Sequence, residues 1–570
     1  MANVFVKLPL RNEAELQTLI AVQSDRRSPF YHHFLSRAQF AARYGPDAGA
    51  LGRTVAALRA RGLNVTHVGT QSVYATARAD VMARAFGTTI ASRRQVDGAT
   101  RLVTTTAVRM PVELARERAV VVGLSARALG AKTLSRSLGQ VPDNRYSSTG
   151  GYWFTDLKES YEAPSYLSAS GKGATIGIVI SSDVKDSDTA KFFNHERFST
   201  VSGAPVPTVV RRYVDGAVPG LVTGDGGFEA ALDVQQSLGS APSASVLLYD
   251  IPDLSNQSTL DAYQAVVDDN KADVISSSFG ECERFFLPDY NGGLDFSSQL
   301  IAQNQIFQQG NAQGQTFLAS SGDSSGLGCP SFSYFDGTAS PAAFEFGAET
   351  PASSANVTAV GGTNLVTLPP TGPRSGRPAP SIYVRESEFA DTEIPYDPYG
   401  IGKNVSGGLW GSGSGESLVF KRTHAQRGIV KTKGRSVPDI SLQMGGCPGG
   451  ISLKCGADDS FSILAFFGNF YGVIGTSASS PEMAGLLAVE VGATGQRLGD
   501  ANESLYEAER SDHKNGAIYR TGIPGFNGLV TEDATPRRYS AIVGLGTPHV
   551  AKLLGIDGPL AGDPATATNP

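Results

Sequence analysis

The stretch Gly-Thr-Ser-Ala-Ser-Ser-Pro-Glu-Met-Ala-Gly at residues 475–485 is the most informative feature of the chain. It places Ser477 in a glycine-bounded turn that leads into an apolar segment, residues 483–491, with the composition of a buried helix. A serine hydroxyl is a poor nucleophile until a neighbouring base accepts its proton. The pattern therefore predicts a nucleophilic serine at the entry to a buried helix, and the base has to come from elsewhere in the chain.

A second stretch, residues 224–234, supplies two carboxylates at helical spacing. Glu229 and Asp233 stand four residues apart among apolar neighbours, so a helix would place both side chains on one face. Two carboxylates held close together do not ionise together, and one keeps its proton to a higher pH. Acids on a helix most often form a solvated face, but the apolar flanks favour burial here.

A third carboxylate, Asp323, follows an apolar run at residues 316–320 that is typical of a buried strand. A buried aspartate at a strand end can stay protonated in acid and donate a hydrogen bond to a developing oxyanion. Ser-Gly-Asp alone is a common turn. The three segments together form a specific pattern.

This ordered set resembles the sedolisin family, also called serine-carboxyl peptidases, in which a glutamate replaces histidine as the base. The resemblance rests on Ser477 in Gly-Thr-Ser-Ala, on the pair Glu229 and Asp233, and on Asp323. Further stretches follow in the family's order at residues 274–280, 357–363, 413–417, 435–441 and 544–548. The resemblance implies a subtilisin-like α/β fold, doubly wound around a mostly parallel sheet.

The resemblance also implies a role for each residue. Ser477 is the nucleophile, Glu229 the base, Asp233 its orienting partner, and Asp323 the oxyanion-hole donor, so activity is expected in acid. Edge-strand hydrogen bonds to an extended peptide are expected from Ser278, Phe279, Gly280, Gly413, Ser414 and Gly415. Simple strand ends and turns would explain these two stretches equally well.

At 570 residues the chain is too long for one ordinary core, so two domains are expected. Apolar runs typical of buried strands occur at residues 171–180, 245–249, 274–277, 317–320 and 357–360. They alternate with helix-like segments, as in a doubly wound α/β domain. We therefore expect the peptidase domain at residues 148–556 and a flexible tail at 557–570.

Residues 1–125 have an α+β pattern and resemble the kumamolisin-like prosegment of the same family, mainly through the stretch at residues 28–36. A strand is expected at residues 4–8 and helices at 13–23, 37–44, 48–61 and 79–86. The resemblance implies an inhibitory prodomain. Residues 126–147 lack periodicity and are expected to form an exposed activation linker.

Charge divides along the same line. Residues 1–130 carry 18 basic and 8 acidic side chains, a net charge of +10, and the remainder carries −16. The arginines are scattered without clustered aromatic residues, which disfavours nucleic-acid binding. We expect the basic prodomain to pair with the acidic peptidase domain, and acid to weaken this attraction by protonating carboxylates.

Two other functional classes stay open. A histidine-dependent serine hydrolase is disfavoured, because none of the seven histidines has suitable surroundings. They are His32, His33, His67, His195, His424, His513 and His549. A catalytically weak or inactive binding protein of the same fold is the second alternative, and tripeptidyl-peptidase activity cannot be distinguished from endopeptidase activity.

No apolar run is long enough to span a membrane, and no signal-peptide pattern opens the chain. We expect a secreted or periplasmic monomer that acts on polypeptides. Cys447 and Cys455 suit a local disulfide, and Cys282 could pair with Cys329, although four free thiols stay possible. None of the four has zinc-site spacing.

The family's calcium site is expected to be lost. Thr521 and Ser540 stand where the resemblance places two aspartates. Calcium needs several oxygen ligands with carboxylates among them. We therefore expect no metal and no other cofactor.

Overall fold

The structure is a computed structural model. It describes residues 1–94, 100–124, 134–137, 151–195, 198–199, 205–331, 344–368, 381–388, 390–391, 409–446 and 461–561. The predicted pair Cys447 and Cys455 lies outside these residues, as does most of the predicted linker.

The N-terminal unit is an α+β fold built on a four-stranded sheet in the order β2-β3-β1-β6. Its strands are β1 (Ala2–Lys7), β2 (Asn64–Val68), β3 (Ser72–Ala77), β4 (Ile90–Arg94), β5 (Thr100–Thr104) and β6 (Val120–Val122). Its helices are α1 (Glu13–Ser24), α2 (Arg37–Arg43), α3 (Ala50–Ala60), α4 (Ala79–Ala85) and α5 (Val112–Arg116). Buried Val4, Val6 and Val73 pack with Leu58 and Phe86 in one core. The predicted strand and four helices are confirmed.

The larger, C-terminal part of the chain is organised around an eight-stranded sheet. One path runs β18-β17-β13-β11-β8-β10-β9, and β23 pairs with β17. The pairs are parallel except for that of β17 with β18. The doubly wound, mostly parallel sheet predicted from the sequence is confirmed.

The remaining strands, in chain order, are β7 (Leu134–Ser137), β8 (Thr175–Ile180), β9 (Val209–Tyr213), β10 (Ser245–Asp250), β11 (Val274–Ser277), β12 (Glu281–Cys282), β13 (Thr316–Ser320), β14 (Cys329–Pro330), β15 (Phe344–Glu345), β16 (Glu349–Thr350), β17 (Thr358–Leu368), β18 (Ile382–Ser387), β19 (Ala390–Asp391), β20 (Trp410–Gly411), β21 (Gly415–Lys421), β22 (Gly434–Val437), β23 (Ile440–Gln443), β24 (Ser462–Phe466), β25 (Asn469–Ile474), β26 (Tyr519–Arg520), β27 (Gly525–Phe526), β28 (Thr531–Glu532) and β29 (Thr547–Pro548).

Helices flank this sheet. They are α6 (Phe154–Ser160), α7 (Asp186–His195), α8 (Gly224–Ser240), α9 (Asn256–Asp269), α10 (Ser297–Ala312), α11 (Thr476–Thr494), α12 (Ala501–Asp512) and α13 (Val550–Leu554), with short 3-10 turns at Glu283–Phe286 and Pro288–Tyr290. Helices α8 and α11 pack on each other, and α9 and α10 form a second pair. The first pair carries the predicted site residues, and the second carries the N-terminal unit.

The N-terminal unit contacts α9 and α10 through apolar groups, among them Phe5, Tyr74 and Val122 of the main core cluster, and through buried polar groups. Buried Asp268 of α9 accepts hydrogen bonds from the Thr70 N–H at 2.9 Å and from Gln309 at 3.0 Å, and pairs with Arg37 at 3.2 Å. Buried Lys7 donates to Gln305 of α10 at 2.8 Å. The polar groups of this interface can bind water when the N-terminal unit separates from the two helices.

Helix α11 begins at Thr476, seven residues before the apolar segment used to predict it. The polar residues 476–480 continue the helix because tertiary packing buries them, although serine is a weak helix former. Ser477 therefore lies in the first turn of the helix. A local pattern of apolar residues could not show this.

Two further differences concern segments predicted to be irregular. Within the predicted linker, β7 pairs antiparallel with β25, with Leu134 opposite Ile474. Within the predicted flexible tail, the Ala561 N–H donates to the Ala163 carbonyl at 2.8 Å, and Leu560 forms a bridge with Pro164. The tail is therefore held as far as residue 561, where the described chain ends. A disulfide joins Cys282 and Cys329, as anticipated.

Candidate active site

Helices α8 and α11 bring the predicted nucleophile and the carboxylate pair together. Ala478 shares a buried cluster with Ala231, and Gly485 lies so close to the Ser237 carbonyl that a Cβ would approach it to 2.3 Å. The Ser278 hydroxyl joins the two helices at the site, because it donates to Asp233 Oδ1 at 2.6 Å and lies 3.4 Å from the Ser477 carbonyl oxygen.

Glu229 and Asp233 are both fully buried on α8. Burial first, and then the charge of Glu229, raise the pKa of Asp233 well above its ordinary value. A hydrogen bond from Ser278 acts in the opposite direction. Because the two carboxyls share one dry environment, the pair favours a state with a single proton.

Asp323 follows the carboxyl end of β13, and Ser278 follows the carboxyl end of the neighbouring strand β11. Thr476 donates to Asp323 Oδ1 twice, from its N–H at 2.6 Å and from its hydroxyl at 2.7 Å. This clamp ties the Asp323 carboxyl to the residue before Ser477. The Asp323 carboxyl therefore lies at the N-terminus of α11, against the residue that precedes Ser477.

Two functional contacts were missed by the sequence analysis. The Thr476 clamp on Asp323 could have been suspected, because Thr476 lies beside the nucleophile. The hydrogen bond from Ser278 to Asp233, 2.6 Å long, joins residues on different elements, and no local signal marks it.

The histidines have other surroundings. His424 hydrogen-bonds to Glu503 at 3.0 Å, and His549 to Glu162 at 3.0 Å. His195 stacks on Trp153, with 3.9 Å between the ring centroids. His32 and His67 belong to the N-terminal unit. These contacts agree with the expectation that a histidine is not the base.

The six residues predicted to bind substrate flank the site, but their side chains and N–H groups are largely engaged. Ser278 and Phe279 are buried. The Gly413 N–H donates to the Gly322 carbonyl at 2.7 Å, and the Ser414 N–H to the Ser325 carbonyl at 3.0 Å. These two groups therefore support the Asp323 loop and are not available to a substrate.

Of the other two residues, Gly415 opens strand β21 opposite Val437. Gly280 packs against the Glu349 side chain, where a Cβ would approach the carboxylate to 3.0 Å. A substrate role for the backbone of Phe279, Gly280 and Gly415 stays a prediction.

The edge of strand β25 is of the kind that pairs with an extended peptide. This strand ends at Ile474, just before the turn that carries Ser477. Segment β7 of the predicted linker occupies this edge as an antiparallel strand, with Ser137 opposite Tyr471 and Leu134 opposite Ile474. Main-chain pairing of this kind is how extended peptides bind to sheet edges. A peptide substrate approaching along β25 would meet the chain's own linker.

The residues at the expected calcium site do not fit calcium. They line a cavity of only about 10 Å³ that includes Thr521, Ser540, Glu532 and Arg537. The Ser540 hydroxyl already accepts hydrogen bonds from the N–H groups of Ile542 and Val543, both at 3.0 Å. One carboxylate beside an arginine is a poor ligand set for a cation that needs several anionic oxygens.

Within the described ranges, no three His, Cys, Asp or Glu side chains are grouped in a way that could hold a metal ion. The same residues include no helix that is both long enough and apolar enough to cross a membrane.

Comparisons with known proteins agree with this geometry. Residues 2–127 match the family described as pro-kumamolisin, activation domain, and residues 217–500 match the subtilase family. The chain is 28% identical to sedolisin of Pseudomonas sp. (strain 101), over 97% of this chain and 86% of that protein. It is 25% identical to xanthomonalisin of Xanthomonas sp. (strain T-22), over 89% of this chain and 60% of that protein.

A solved structure of Pseudomonas sedolisin, a serine-carboxyl proteinase complexed with two molecules of pseudo-iodotyrostatin, superposes with a TM-score of 0.52 at 26% identity. The match covers 72% of this chain and 98% of that one.

Proposed function

We propose that this chain, a sedolisin-like serine peptidase with an N-terminal activation domain, hydrolyses peptide bonds in acid with Ser477 as nucleophile and Glu229 as base. The observation that carries the proposal is the buried carboxylate pair on α8. Glu229 and Asp233 are fully buried in the helix that runs beside Ser477, and the pKa of Asp233 is raised well above its ordinary value, mainly by burial.

The reaction follows from these positions. The Ser477 hydroxyl oxygen attacks the scissile carbonyl carbon while its proton passes to Glu229. Protonated Glu229 then gives that proton to the leaving amine as the C–N bond breaks, and water repeats the sequence on the acyl-enzyme. Asp233 shares a proton with Glu229, and protonated Asp323 donates to the oxyanion.

The acid requirement comes from two carboxyls with opposite needs. Glu229 has to be ionised to accept a proton, and Asp323 has to be protonated to donate one. Both side chains have reference pKa values near 4. The two states coexist only in a window in the acid range. The alkaline limb of activity also requires that Asp233 keep the proton it shares with Glu229.

The activation domain is proposed to inhibit the enzyme in cis. It docks on α9 and α10, and the linker strand β7 occupies the edge of β25 that leads to the nucleophile. Cleavage within residues 126–147 would free this edge. We also propose a secreted or periplasmic monomer that acts on polypeptides and uses no metal or other cofactor.

The test is a pH–rate profile of the acid-activated protein on a denatured protein substrate. We expect a maximum in acid, a loss of at least about a thousandfold in Ser477→Ala and Glu229→Gln, and a loss of about 100- to 1,000-fold in Asp323→Asn. Asp289→Asn, at an exposed aspartate, is the control. Product masses separate internal cleavage from release of tripeptides.

Two outcomes would contradict the proposal. A neutral or alkaline maximum that survives Glu229→Gln would favour a histidine-dependent hydrolase. A protein that neither cleaves itself nor reacts at Ser477 with an active-site reagent in acid would favour a binding protein of the same fold.

A further inference from the structure

Ser278 is fully buried between the two helices that carry the proposed catalytic groups. Its hydroxyl donates to Asp233 Oδ1 at 2.6 Å and lies 3.4 Å from the backbone carbonyl oxygen of Ser477. Among the described residues, Ser278 is the one donor to the Asp233 carboxyl. A single hydroxyl thus contacts both the carboxylate pair and the nucleophile's own residue.

Pro481 explains why the Ser477 carbonyl is available. In an α-helix this carbonyl would accept a hydrogen bond from the N–H four residues later, and that residue is Pro481, which has no N–H. The regular helix pattern therefore leaves the Ser477 carbonyl without its donor. The Ser278 hydroxyl is placed to supply one.

We propose that Ser278 is a positioning residue of the catalytic group, holding the Asp233 carboxyl against Glu229 and anchoring the Ser477 backbone. This inference rests on the proposed function. A hydroxyl has one hydrogen to donate and two lone pairs that accept. When Asp233 is ionised, Ser278 donates to it. When Asp233 is protonated, the carboxyl donates to Ser278, whose hydrogen then turns to the Ser477 carbonyl.

Among the described residues, burial and the charge of Glu229 on the same helix raise the pKa of Asp233, and the hydrogen bond from Ser278, which follows β11, lowers it. On α11, the Ser477 carbonyl oxygen lies 3.4 Å from the Ser278 hydroxyl. The β24–β25 hairpin packs on α8 through apolar side chains, Leu464 and Val473. Because a hydrogen bond to an ionised carboxylate is stronger than one between neutral groups, Ser278 favours the ionised form of Asp233.

The experiment compares Ser278→Ala with Ser276→Ala in the acid-activated protein. Ser276 lies two residues earlier on the same face of β11, is equally buried, and bonds the Ser480 hydroxyl of α11 at 3.0 Å. We expect Ser278→Ala to lower kcat about ten- to a hundredfold and to move the alkaline limb of its pH profile upward. Ser276→Ala is expected to do neither.

A second measurement does not depend on activity. In the Ser477→Ala full-length protein, unfolding is followed with and without Ser278→Ala across pH. Above the pKa of Asp233 the parent keeps a charge-assisted hydrogen bond that the variant lacks, and below it that bond is absent from both. The difference in unfolding midpoint is therefore expected to widen as pH rises.

A difference that stays constant with pH, together with an alkaline limb that does not move, would overturn the proposal. If Ser278→Ala does not fold, Ser278→Cys takes its place, because a thiol has similar size but is a weaker donor, and an intermediate shift is then expected. Failure of the proposed function can be distinguished from failure of the Ser278 role. The pH–rate profiles of the wild type and Glu229→Gln test the proposed function, whereas the stability measurement tests Ser278 without turnover.

Discussion

Burial governs how the carboxylates near the nucleophile ionise. Glu482, five residues after Ser477 on α11, illustrates this at a position with no proposed catalytic role. It is 3% exposed, its Oε1 has no hydrogen-bond partner among the described residues, and burial raises its pKa well above the ordinary value. The folded protein therefore holds a proton on Glu482 that the unfolded chain releases near pH 4.

Glu482→Gln is expected to stabilise the protein at neutral pH and to change little in acid. The pKa is raised in the folded state, so folding is favoured in acid, and this stability is lost as pH rises above the unfolded value. Glutamine does not ionise, so it removes that loss, and the free energy of unfolding at neutral pH is expected to rise by about 1–3 kcal/mol. Denaturant unfolding of the Ser477→Ala protein, with and without Glu482→Gln, measures this difference at an acid and a neutral pH. An equal effect at both pH values would show that Glu482 does not titrate as described.

Among the secondary-structure elements, β7 is the one that we expect to link activation to catalysis. In the described part of the chain it pairs with β25, and its antiparallel register places Arg136 opposite Gly472. Removing its backbone N–H groups should weaken this pairing without touching the peptidase domain.

The double variant Ser135→Pro/Arg136→Pro is expected to convert to the active form severalfold faster than wild type. Whichever of the two residues faces β25, one ladder hydrogen bond is lost. Ser135→Ala/Arg136→Ala keeps both N–H groups and is the matched control. Conversion is followed by gel in acid. Equal rates for the two double variants would show that strand pairing does not hold the linker.

The C-terminal loop around Ser540 is expected to be stable without calcium. The Ser540 hydroxyl accepts hydrogen bonds from two backbone N–H groups. Arg537 forms an ion pair with Asp533 at 2.8 Å and holds the pKa of that carboxyl down at about 2. We expect these contacts to hold the loop without the crosslink that a cation would provide.

We therefore expect the same melting temperature in a chelator and in added calcium. Ser540→Ala is expected to cost about 1–3 kcal/mol, because it leaves two buried N–H groups without an acceptor. A calcium-dependent rise in melting temperature that disappears in Glu532→Gln would contradict the absence of a site.

At the scale of the whole molecule, the basic prodomain meets acidic groups of the peptidase domain, as its charge predicts. Arg26 lies 3.6 Å from Glu490, and Arg27 lies 3.6 Å from Glu507. Pairs as exposed as these arginines contribute little. Burial raises the pKa of Glu490 to about 7. Besides the carboxylates, a histidine that becomes charged in acid is expected to contribute to acid sensitivity.

His67 of the N-terminal unit and Asp261 of α9 line the same cavity, whose volume is about 380 Å³. Burial, helped by Arg212 and Arg37 and opposed by Asp268, lowers the pKa of His67. Protonation then favours separation, increasingly as pH falls below about 6.5. Burial raises the pKa of Asp261 to about 8. Its protonation favours docking, an effect present in acid and lost as pH rises through that value.

The two variants are therefore expected to act at opposite ends of the pH range. His67→Gln slows conversion of the proenzyme in acid by about two- to tenfold and has little effect at neutral pH. Asp261→Asn slows it at neutral pH and has little effect in acid. The ratio of variant to wild-type conversion rate at each pH is the measurement. Ratios that do not change with pH would rule out both groups as the switch.

Local patterns were enough to predict the fold class correctly and to propose the catalytic candidates. Glu229 and Asp233 were recognisable because four residues is one helical turn, and Ser477 because glycine, small residues and an apolar run adjoin in sequence. The parallel sheet followed from apolar runs alternating with helix-like segments. Each of these signals lies within one element, where the periodicity of side chains is set by backbone geometry.

Contacts between distant elements were decided only by the tertiary structure. Ser278 was assigned to substrate, yet its side chain turns inward to Asp233, 45 residues away in sequence. Thr70 binds Asp268 across 198 residues, and residues 134–137 of the predicted linker pair with β25. The pairing of two buried polar groups depends on which surfaces meet when the elements pack, and a single sequence carries no local mark of that choice.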